Sequence, residues 1–343
     1  MLTRDFYFDL PENLIAQYPA EKRGEDRLLF LDKKTGEYKD YMMRDFPSLI
    51  DEDTVIVVNN SKVRKARVFA NKESGAKVEF LFLKKNEDNS WKAMVSKSKR
   101  QKEGDLYTFI DGNESLAAHI SSSNEDGTKN VVFEKDIDES FFEKFGHVPL
   151  PPYIKREDSF SDESRYQTVY AKKEGSVACP TAGLHFTNAL MDEVRKKGIK
   201  IYEVTLHVGA GTFLPVRSKN IEDHHMHTEH FEIEPSVFDA LNRAKEEKKK
   251  ILAIGTTSTR TLESASSAEG RLIRKYGETD IFIKPGYEFC FVDELLTNFH
   301  TPESTLLMLV SALAGKENIF SAYRHAIEEG YHFYSYGDAM LIK

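Results

Sequence analysis

The chain has 343 residues, 40% of them hydrophobic, and a formal net charge of −8 at pH 7. That apolar content excludes a disordered protein, and the length points to two domains or to one carrying a large insertion. The acidic balance excludes indiscriminate binding to nucleic acid, though not a local basic patch, and two cysteines, Cys179 and Cys290, supply no disulfide framework or paired metal motif.

The opening MLTRDFYFDLPENL contains acids and no apolar run, so no secretory signal is expected. The most apolar stretch, Thr305 to Gly315, is too short to cross a bilayer. A cytoplasmic protein without membrane contact is therefore expected. Thr54 to Val58 reads as a buried strand that stops at Asn59, Asn60 and Ser61, a place where open α/β sheets put ligands and where an ordinary Asx turn also fits. Short alternating runs follow at Ala66–Ala70, Lys77–Leu83, Trp91–Val95, Asp105–Ile110 and Asn130–Glu134, with Gly75, Gly104, Gly112 and Gly127 in or beside the breaks. Such spacing suggests a small antiparallel barrel or sandwich. Because α/β texture flanks it, the expected architecture is α/β: a layered main domain of residues 1–62 and 149–343, interrupted by an inserted antiparallel β domain, barrel or sandwich, of residues 63–148.

From Gly175 to Thr187 the chain reads GSVACPTAGLHFT, a loop of glycines and hydroxyls. Thr187 is placed to cap a helix whose Leu190, Met191 and Val194 share one face and which Gly198 ends. A loop of this composition at a helix start suits a polar or anionic ligand, and equally a stiff structural role. A strand over Ile199–Val208 leads to His207, Gly209, Ala210, Gly211 and Thr212. The histidines at 224, 225, 227 and 230 invite a metal, but their spacing is neither HExxH nor a zinc-finger pattern, and acid–base or substrate-binding roles fit better.

Ser236 and Asp239 suggest a capping box for the next helix, and Ile251–Ile254 a strand ending in Gly255, Thr256, Thr257, Ser258, Thr259 and Arg260. Those hydroxyls at a strand-to-helix turn suit a ribose, a carboxylate or a phosphate, while the lack of GxxxxGK[ST] and of GxGxxG excludes a P-loop and gives no support to a standard dinucleotide fold. Glu263, one turn on, is within reach of the same pocket or simply solvated. A strand is expected at Thr279–Ile283. Thr301 is expected to cap an all-round apolar helix with Pro302 at its first position, and His300 beside it reads as a core histidine.

Long motifs then accumulate in one order: ACPTAGLHFT from Ala178, TLHVGAGTFLPV from Thr205, DHHMHTE from Asp223, GTTSTRTLES from Gly255, TDIFIKPGY from Thr279, TNFHTPESTLLMLVSA from Thr297 and YHFYSYGDAMLI from Tyr331. With FDLPENLIAQYP, PLPPYIKR and RYQTVYA they resemble, nearly end to end, the S-adenosylmethionine:tRNA ribosyltransferase-isomerase family of the queuosine pathway. Three departures stand out. Cys179 replaces an expected alanine, Asn60 an expected aspartate, and Arg64 and Lys65 an apolar residue and a proline. The resemblance implies an α/β domain with an inserted β-barrel and a reaction that uses S-adenosylmethionine as co-substrate, with no prosthetic group and no metal. In it the ribosyl moiety passes to the aminomethyl group of 7-aminomethyl-7-deazaguanine at the tRNA wobble position and isomerises, giving epoxyqueuosine with release of adenine and methionine. The partners implied are S-adenosylmethionine and that tRNA, with the protein acting as a monomer.

Such chemistry needs a base for the hydrogen beside the sulfonium and an acid for the departing adenine, and histidine suits both near neutral pH. The expected acid–base set is His185, His207 and His227, with Asp223 or Glu229 orienting an imidazole. Thr181, Gly183, Gly209, Gly211, Thr212, Thr256, Thr257 and Ser258 are expected to hold S-adenosylmethionine, and Tyr166 or Phe186 to stack on a base. For tRNA the expected phosphate contacts are Lys62, Arg64, Arg67, Lys97, Lys99, Arg100, Lys155 and Arg156. Two other classes compete: a metal-dependent hydrolase built on the histidine run, and a non-catalytic RNA-binding module built on the barrel.

Overall fold

The computed structural model describes residues 1–209, 211 and 216–343. Its centre is a nine-stranded mixed sheet in the order Tyr276–Thr279, Glu229–Glu232, Lys200–Leu206, Thr54–Asn59, Lys250–Ile254, Glu294–Asn298, Ala339–Ile342, Arg27–Leu31 and Tyr38–Met42. The four strands Lys200–Leu206, Thr54–Asn59, Lys250–Ile254 and Glu294–Asn298 run parallel. Every residue of Thr54–Asn59 is buried, as expected of a parallel strand covered on both faces.

Its alternation divides two apolar layers. Val55 and Val57 face one with Leu262, Leu307 and Met308, whereas Ile56 and Val58 face the other with Phe46, Leu190 and Val194. Helices thus cover both sides of the sheet. Gly255–Ala265, Thr305–Ala314 and Lys316–Glu328 contribute to the first layer, and Asn188–Lys196 to the second.

Six antiparallel strands, Arg67–Lys72, Lys77–Lys85, Trp91–Val95, Lys129–Phe133, Glu114–Ser123 and Leu106–Asp111, form a barrel in that spatial order. Pairing of Ala70 with Phe109 joins the last strand to the first and closes it. Closure removes the free edges. The interior is aromatic: Phe80, Phe82, Trp91, Tyr107 and Phe109 are buried there, and Phe141 and Phe142 of the helix Glu139–Phe145 pack against Phe82 at 6.2 and 5.8 Å. The ten-residue strand Glu114–Ser123 has no counterpart in the sequence reading. Its ESLAAHISSS composition has weak strand propensity, and its neighbours on both sides impose the conformation.

Several boundaries shift for local reasons. The Thr187 hydroxyl accepts from Leu190 N at 3.0 Å, as its position predicts, and Gly198 takes φ +83° just beyond the helix. The helix expected from a Ser236–Asp239 box instead begins at Pro235, with Glu234 at the N-cap and no side-chain cap. The last apolar helix is capped by Ser304, whose Oγ accepts from Leu307 N at 3.2 Å, so Thr301 and Pro302 lie in the preceding loop. The strand expected at 279–283 ends at Thr279, because its pairing partner Glu229–Glu232 ends there.

Candidate functional site

Beyond the carboxyl ends of the parallel strands lies a cavity of about 410 Å³. This is where open α/β sheets bind ligands, and the volume suits a small organic molecule. Three stretches far apart in the sequence line it: Ala178–Ala182, Gly255–Thr257 and Thr297–Leu306, with Tyr153, Tyr166, Tyr334 and Ser335 closing the sides. Gly255, at φ +85°, turns the chain from strand into helix beside Ala182, whose Cβ lies 3.5 Å from where a side chain at 255 would begin.

Asn298 ends its strand at the cavity wall. Its Nδ2 donates to the Tyr334 carbonyl at 3.0 Å, and Thr181 Oγ1 donates to its Oδ1 at 3.2 Å. The carbonyl partner fixes which end of the amide is the donor. His185 Nε2, 3.2 Å from the same Nδ2, must therefore accept, and its Nδ1–H points to Asp26 Oδ2 at 2.9 Å. Both ring nitrogens are committed, and the ring is 2% exposed. His185 thus has no lone pair free for a substrate, which corrects its expected role as base or acid. It supports Asn298 from behind. Tyr334 holds φ +76°, an outlier for a bulky residue, between its own amide bond to Phe299 O at 3.0 Å and the Asn298 contact.

The groups in the cavity separate by protonation. Burial pushes the Cys179 thiol well up, and likewise the hydroxyls of Tyr153 and Tyr166, while Tyr334 is raised to about 12 by the same cause. All four are proton donors at neutral pH. His300 goes the other way: burial lowers it to about 3, and its Nε2 lies 3.0 Å from Thr297 Oγ1. Glu303, at φ +58°, is the single carboxylate among the described lining residues.

A second depression, a groove of about 670 Å³, runs between the barrel and the edge of the main sheet. It shares Val208 with the cavity. His207, Gly209, Gly211, His227 and Glu229 line it rather than the cavity, facing Arg64, Trp91 and Lys92. His207 is packed against Gly175, its Nδ1 is enclosed without a partner among the described residues, and burial followed by the charge of His230 holds its pKa below the ordinary value.

The expected acid–base set is not brought together. Glu229, 4% exposed, orients no imidazole: its Oε1 accepts from Gly209 N at 2.9 Å and its other oxygen pairs with the buried Arg260. Asp223 is exposed and accepts from Asn220 Nδ2 at 3.2 Å. The histidine run also diverges, with His224 packing on Phe282 at 5.5 Å and His230 facing Glu278 at 3.3 Å. Among the described residues no three His, Cys, Asp or Glu side chains converge as a metal site.

Of the residues expected to hold S-adenosylmethionine, Thr181, Thr256 and Thr257 line the cavity. Gly183 does not: a side chain there would begin 2.1 Å from the Tyr170 hydroxyl, so that glycine serves close packing. Ser258 is fully buried and donates to Ile254 O at 2.8 Å, which removes it as a ligand contact. Gly209 and Gly211 belong to the groove, and Thr212 lies outside the described residues. Glu263 takes neither expected fate. Its carboxylate accepts from the amides of Cys290, Phe291 and Val292 at 3.0, 3.1 and 2.8 Å and from Tyr287 Oη at 3.0 Å, which pins that turn. Phe186 is 1% exposed and packs on Phe46 at 5.3 Å, so it has no face for a base.

The basic residues divide as sharply. Lys62 pairs with Glu174 at 2.7 Å, Arg64 Nε with Glu139 at 2.9 Å, Arg67 Nε with Glu79 at 2.9 Å and Lys155 with Glu12 at 2.6 Å. Arg156 grips Asp162 with two nitrogens at 2.7 and 2.8 Å. Burial by itself would raise the Asp162 carboxyl, but the Arg156 fork, the Tyr336 hydroxyl and the Ser159 amide together hold it far below the usual range. Arg156 is therefore committed to the fold and not to phosphate. Lys97, Lys99 and Arg100, on the turn beside Ser98 at the groove rim, are exposed and have no acidic partner among the described residues.

Sequence reasoning did not single out Asn298, Glu303 and Tyr334, and it read His300 as the buried residue it is without placing it at a cavity. The available signal was the position of TNFH at a strand end next to PES and a helix start.

Comparison with known proteins adds the relatives. A family model described as queuosine biosynthesis protein matches residues 3–342. Proteins named S-adenosylmethionine:tRNA ribosyltransferase-isomerase from Treponema denticola, Caldanaerobacter subterraneus subsp. tengcongensis and Clostridioides difficile are 54%, 48% and 46% identical to the chain, each over 100% of both sequences. The crystal structure of an S-adenosylmethionine tRNA ribosyltransferase from Thermotoga maritima is 34% identical, with a TM-score of 0.55, and covers 99% of this chain and 100% of its own.

Proposed function

The chain belongs to the queuosine biosynthesis family, and from that membership we propose that the cavity is where its reaction takes place. The protein is an S-adenosylmethionine:tRNA ribosyltransferase-isomerase. It transfers and isomerises the ribosyl moiety of S-adenosylmethionine onto the aminomethyl group of 7-aminomethyl-7-deazaguanine at the tRNA wobble position, with adenine and methionine as the other products. What carries the placement of that chemistry is the meeting of Ala178–Ala182, Gly255–Thr257 and Thr297–Leu306 around one cavity.

The sulfonium acidifies the neighbouring C5′ hydrogen, so a proton acceptor within hydrogen-bond reach is needed. Glu303, the carboxylate among the described lining residues, and the neutral imidazole of His300 are the candidate acceptors. Adenine leaves more readily when a ring nitrogen is protonated or hydrogen-bonded; Tyr153, Tyr166 and Cys179, which burial keeps protonated, offer hydrogen bonds there, and the proton removed from C5′ is available for the nitrogen. His185 acts through Asn298 as a positioning residue. Each step balances by proton transfer among these groups and the substrates, so the reading calls for no metal or prosthetic group. A tRNA substrate favours the cytoplasm, and we read the protein as acting as a monomer. We read residues 63–148 as a distinct domain whose groove face, with Lys97, Lys99 and Arg100 at the rim, receives the anticodon arm. His207 and His227 then face RNA and not the donor.

The test is to incubate the protein with S-adenosylmethionine and an anticodon stem-loop carrying 7-aminomethyl-7-deazaguanine. Free adenine and an RNA heavier by the isomerised ribosyl unit are expected. An RNA of unchanged mass, or one heavier by a single methyl group, would overturn the reading.

A further inference from the structure

The helix Gly255–Ala265 begins at the cavity with Ile254 at its N-cap and no side-chain cap. Three other helices are capped, with Asp138, Thr187 and Ser304 each accepting from a first-turn amide, whereas the helices starting at Pro235 and Lys316 also have no side-chain cap. A buried helix start with orphan amides is a place for a ligand acceptor, and its partial positive charge favours an anion.

The hydroxyls along this helix point the same way. Those of Ser258, Thr259 and Thr261 are spent on the carbonyls of Ile254, Gly255 and Thr257 at 2.8, 3.2 and 3.0 Å. Thr256 and Thr257, the two that line the cavity, are different. Thr256 is only 8% exposed, and its hydroxyl bonds to none of the described residues. The Thr257 hydroxyl is enclosed and likewise without a partner among them. An enclosed polar group without a partner is destabilising unless a ligand supplies one.

The charge of the surroundings selects the anion. Among the described residues no lysine or arginine lines the cavity, and Glu303 does. A phosphate dianion would lack a counter-charge there, whereas a carboxylate carries a single charge. A ligand bearing a carboxylate and cationic groups together also matches Glu303.

We propose that the uncapped start of the helix Gly255–Ala265, with the hydroxyls of Thr256 and Thr257, seats the α-carboxylate of S-adenosylmethionine. This rests on the reaction given above and adds which end of the donor lies at which wall. The methionyl carboxylate accepts from the first-turn amides and the two hydroxyls, and the cationic groups lie on the side of Glu303.

The experiment follows adenine release by the full chain with saturating modified stem-loop. Decarboxylated S-adenosylmethionine serves as competitor, and the chains compared are wild type, Thr256→Val and Thr256→Ser. A hydrogen bond to a charged group corresponds to roughly tenfold or more in affinity. On the wild type the decarboxylated analogue is therefore expected to compete at least about tenfold more weakly than the KM of S-adenosylmethionine would indicate. Thr256→Val raises that KM by about the same factor and leaves the constant of the analogue unchanged, and Thr256→Ser restores it. An analogue that competes as well as the donor, or a valine variant that weakens both equally, overturns the seat while the reaction stands. Weakened stem-loop affinity in Thr256→Val, with an unchanged donor KM, would assign the helix start to an RNA phosphate and overturn it too. The wild-type ratio needs no variant, so a destabilised Thr256→Val chain does not shield the proposal. No adenine from the wild type would remove the reaction, and this seat with it.

Discussion

The cavity and the groove share Val208, yet among the described residues only the groove is lined by lysine and arginine side chains. In the cavity, Thr256, Thr257 and Tyr166 have hydroxyls without partners among the described residues. Around the groove, Arg64 and Lys92 are matched to Glu139 and Asp126, the enclosed His207 Nδ1 and Trp91 Nε1 have no partner among the described residues, and the exposed turn Lys97–Arg100 offers its charge to solvent. The difference teaches where each kind of ligand is met. A small molecule replaces water on groups the fold leaves unfinished, whereas a polyanion is met by exposed charges that lose little by standing alone.

The strongest test of that contrast lies at the boundary. Glu229 serves the fold, pairing with Arg260 and holding the Gly209 amide. Glu229→Ala should cost about 3–5 kcal/mol by leaving a buried guanidinium unpaired. Denaturant unfolding measures it, and a loss below about 1 kcal/mol would show that this part of the groove wall is not built on the pair.

Next in size is the basic rim. Replacing Lys97, Lys99 and Arg100 together by glutamine should reduce the slope of log affinity for tRNA against log salt by about 2–3, with roughly one unit lost per phosphate contact. Lys155→Gln should barely move it, because that ammonium is engaged by Glu12. Equal effects of the two would erase the distinction between free and committed charge.

The third test uses pH. His300 is pushed down to about 3 in the folded chain by burial, against about 6.5 when unfolded. Between those values the unfolded chain binds the extra proton. The contribution of this residue is therefore complete above about pH 6.5 and is lost as pH falls, by up to about 1.4 kcal/mol per unit. His207 and His224, also lowered by burial, pull the same way. Unfolding followed from pH 6.5 to 5, where most carboxylates are quiet, should show a shallower decline for His300→Asn than for the wild type. Parallel curves would mean that the imidazole is not held neutral.

The smallest effect sharpens the contrast most directly. Thr187→Val removes a cap and should cost about 1 kcal/mol. Thr256→Val and Thr257→Val remove hydroxyls that bond nothing described and should leave the chain as stable as wild type or more so. Thermal unfolding of the three compares a threonine kept for stability with two kept for a ligand.

Much of this molecule was legible in advance. The all-apolar TVIVV run, the Thr187 cap and the alternating barrel strands follow from local rules of periodicity and hydrogen bonding, and the family follows from motif order. Locally strong signals also misled. Clustered histidines suggested a shared site because neighbours in sequence look like neighbours in space, but the side chains leave the segment towards Phe282, Glu278 and the groove. Runs of lysine and arginine looked like an RNA surface because their acidic partners lie far along the chain, as Glu139 does from Arg64.

By itself the sequence determined the layered α/β plan, the antiparallel strands inserted into it and the reaction, because each rests on patterns of neighbouring residues or on the order of long motifs. Only the tertiary structure decided which polar groups are left over. Whether a histidine, threonine or arginine can serve a ligand depends on what reaches it from elsewhere in the chain. Asp26 and Asn298 occupy both nitrogens of His185, whereas Thr256 receives no partner among the described residues.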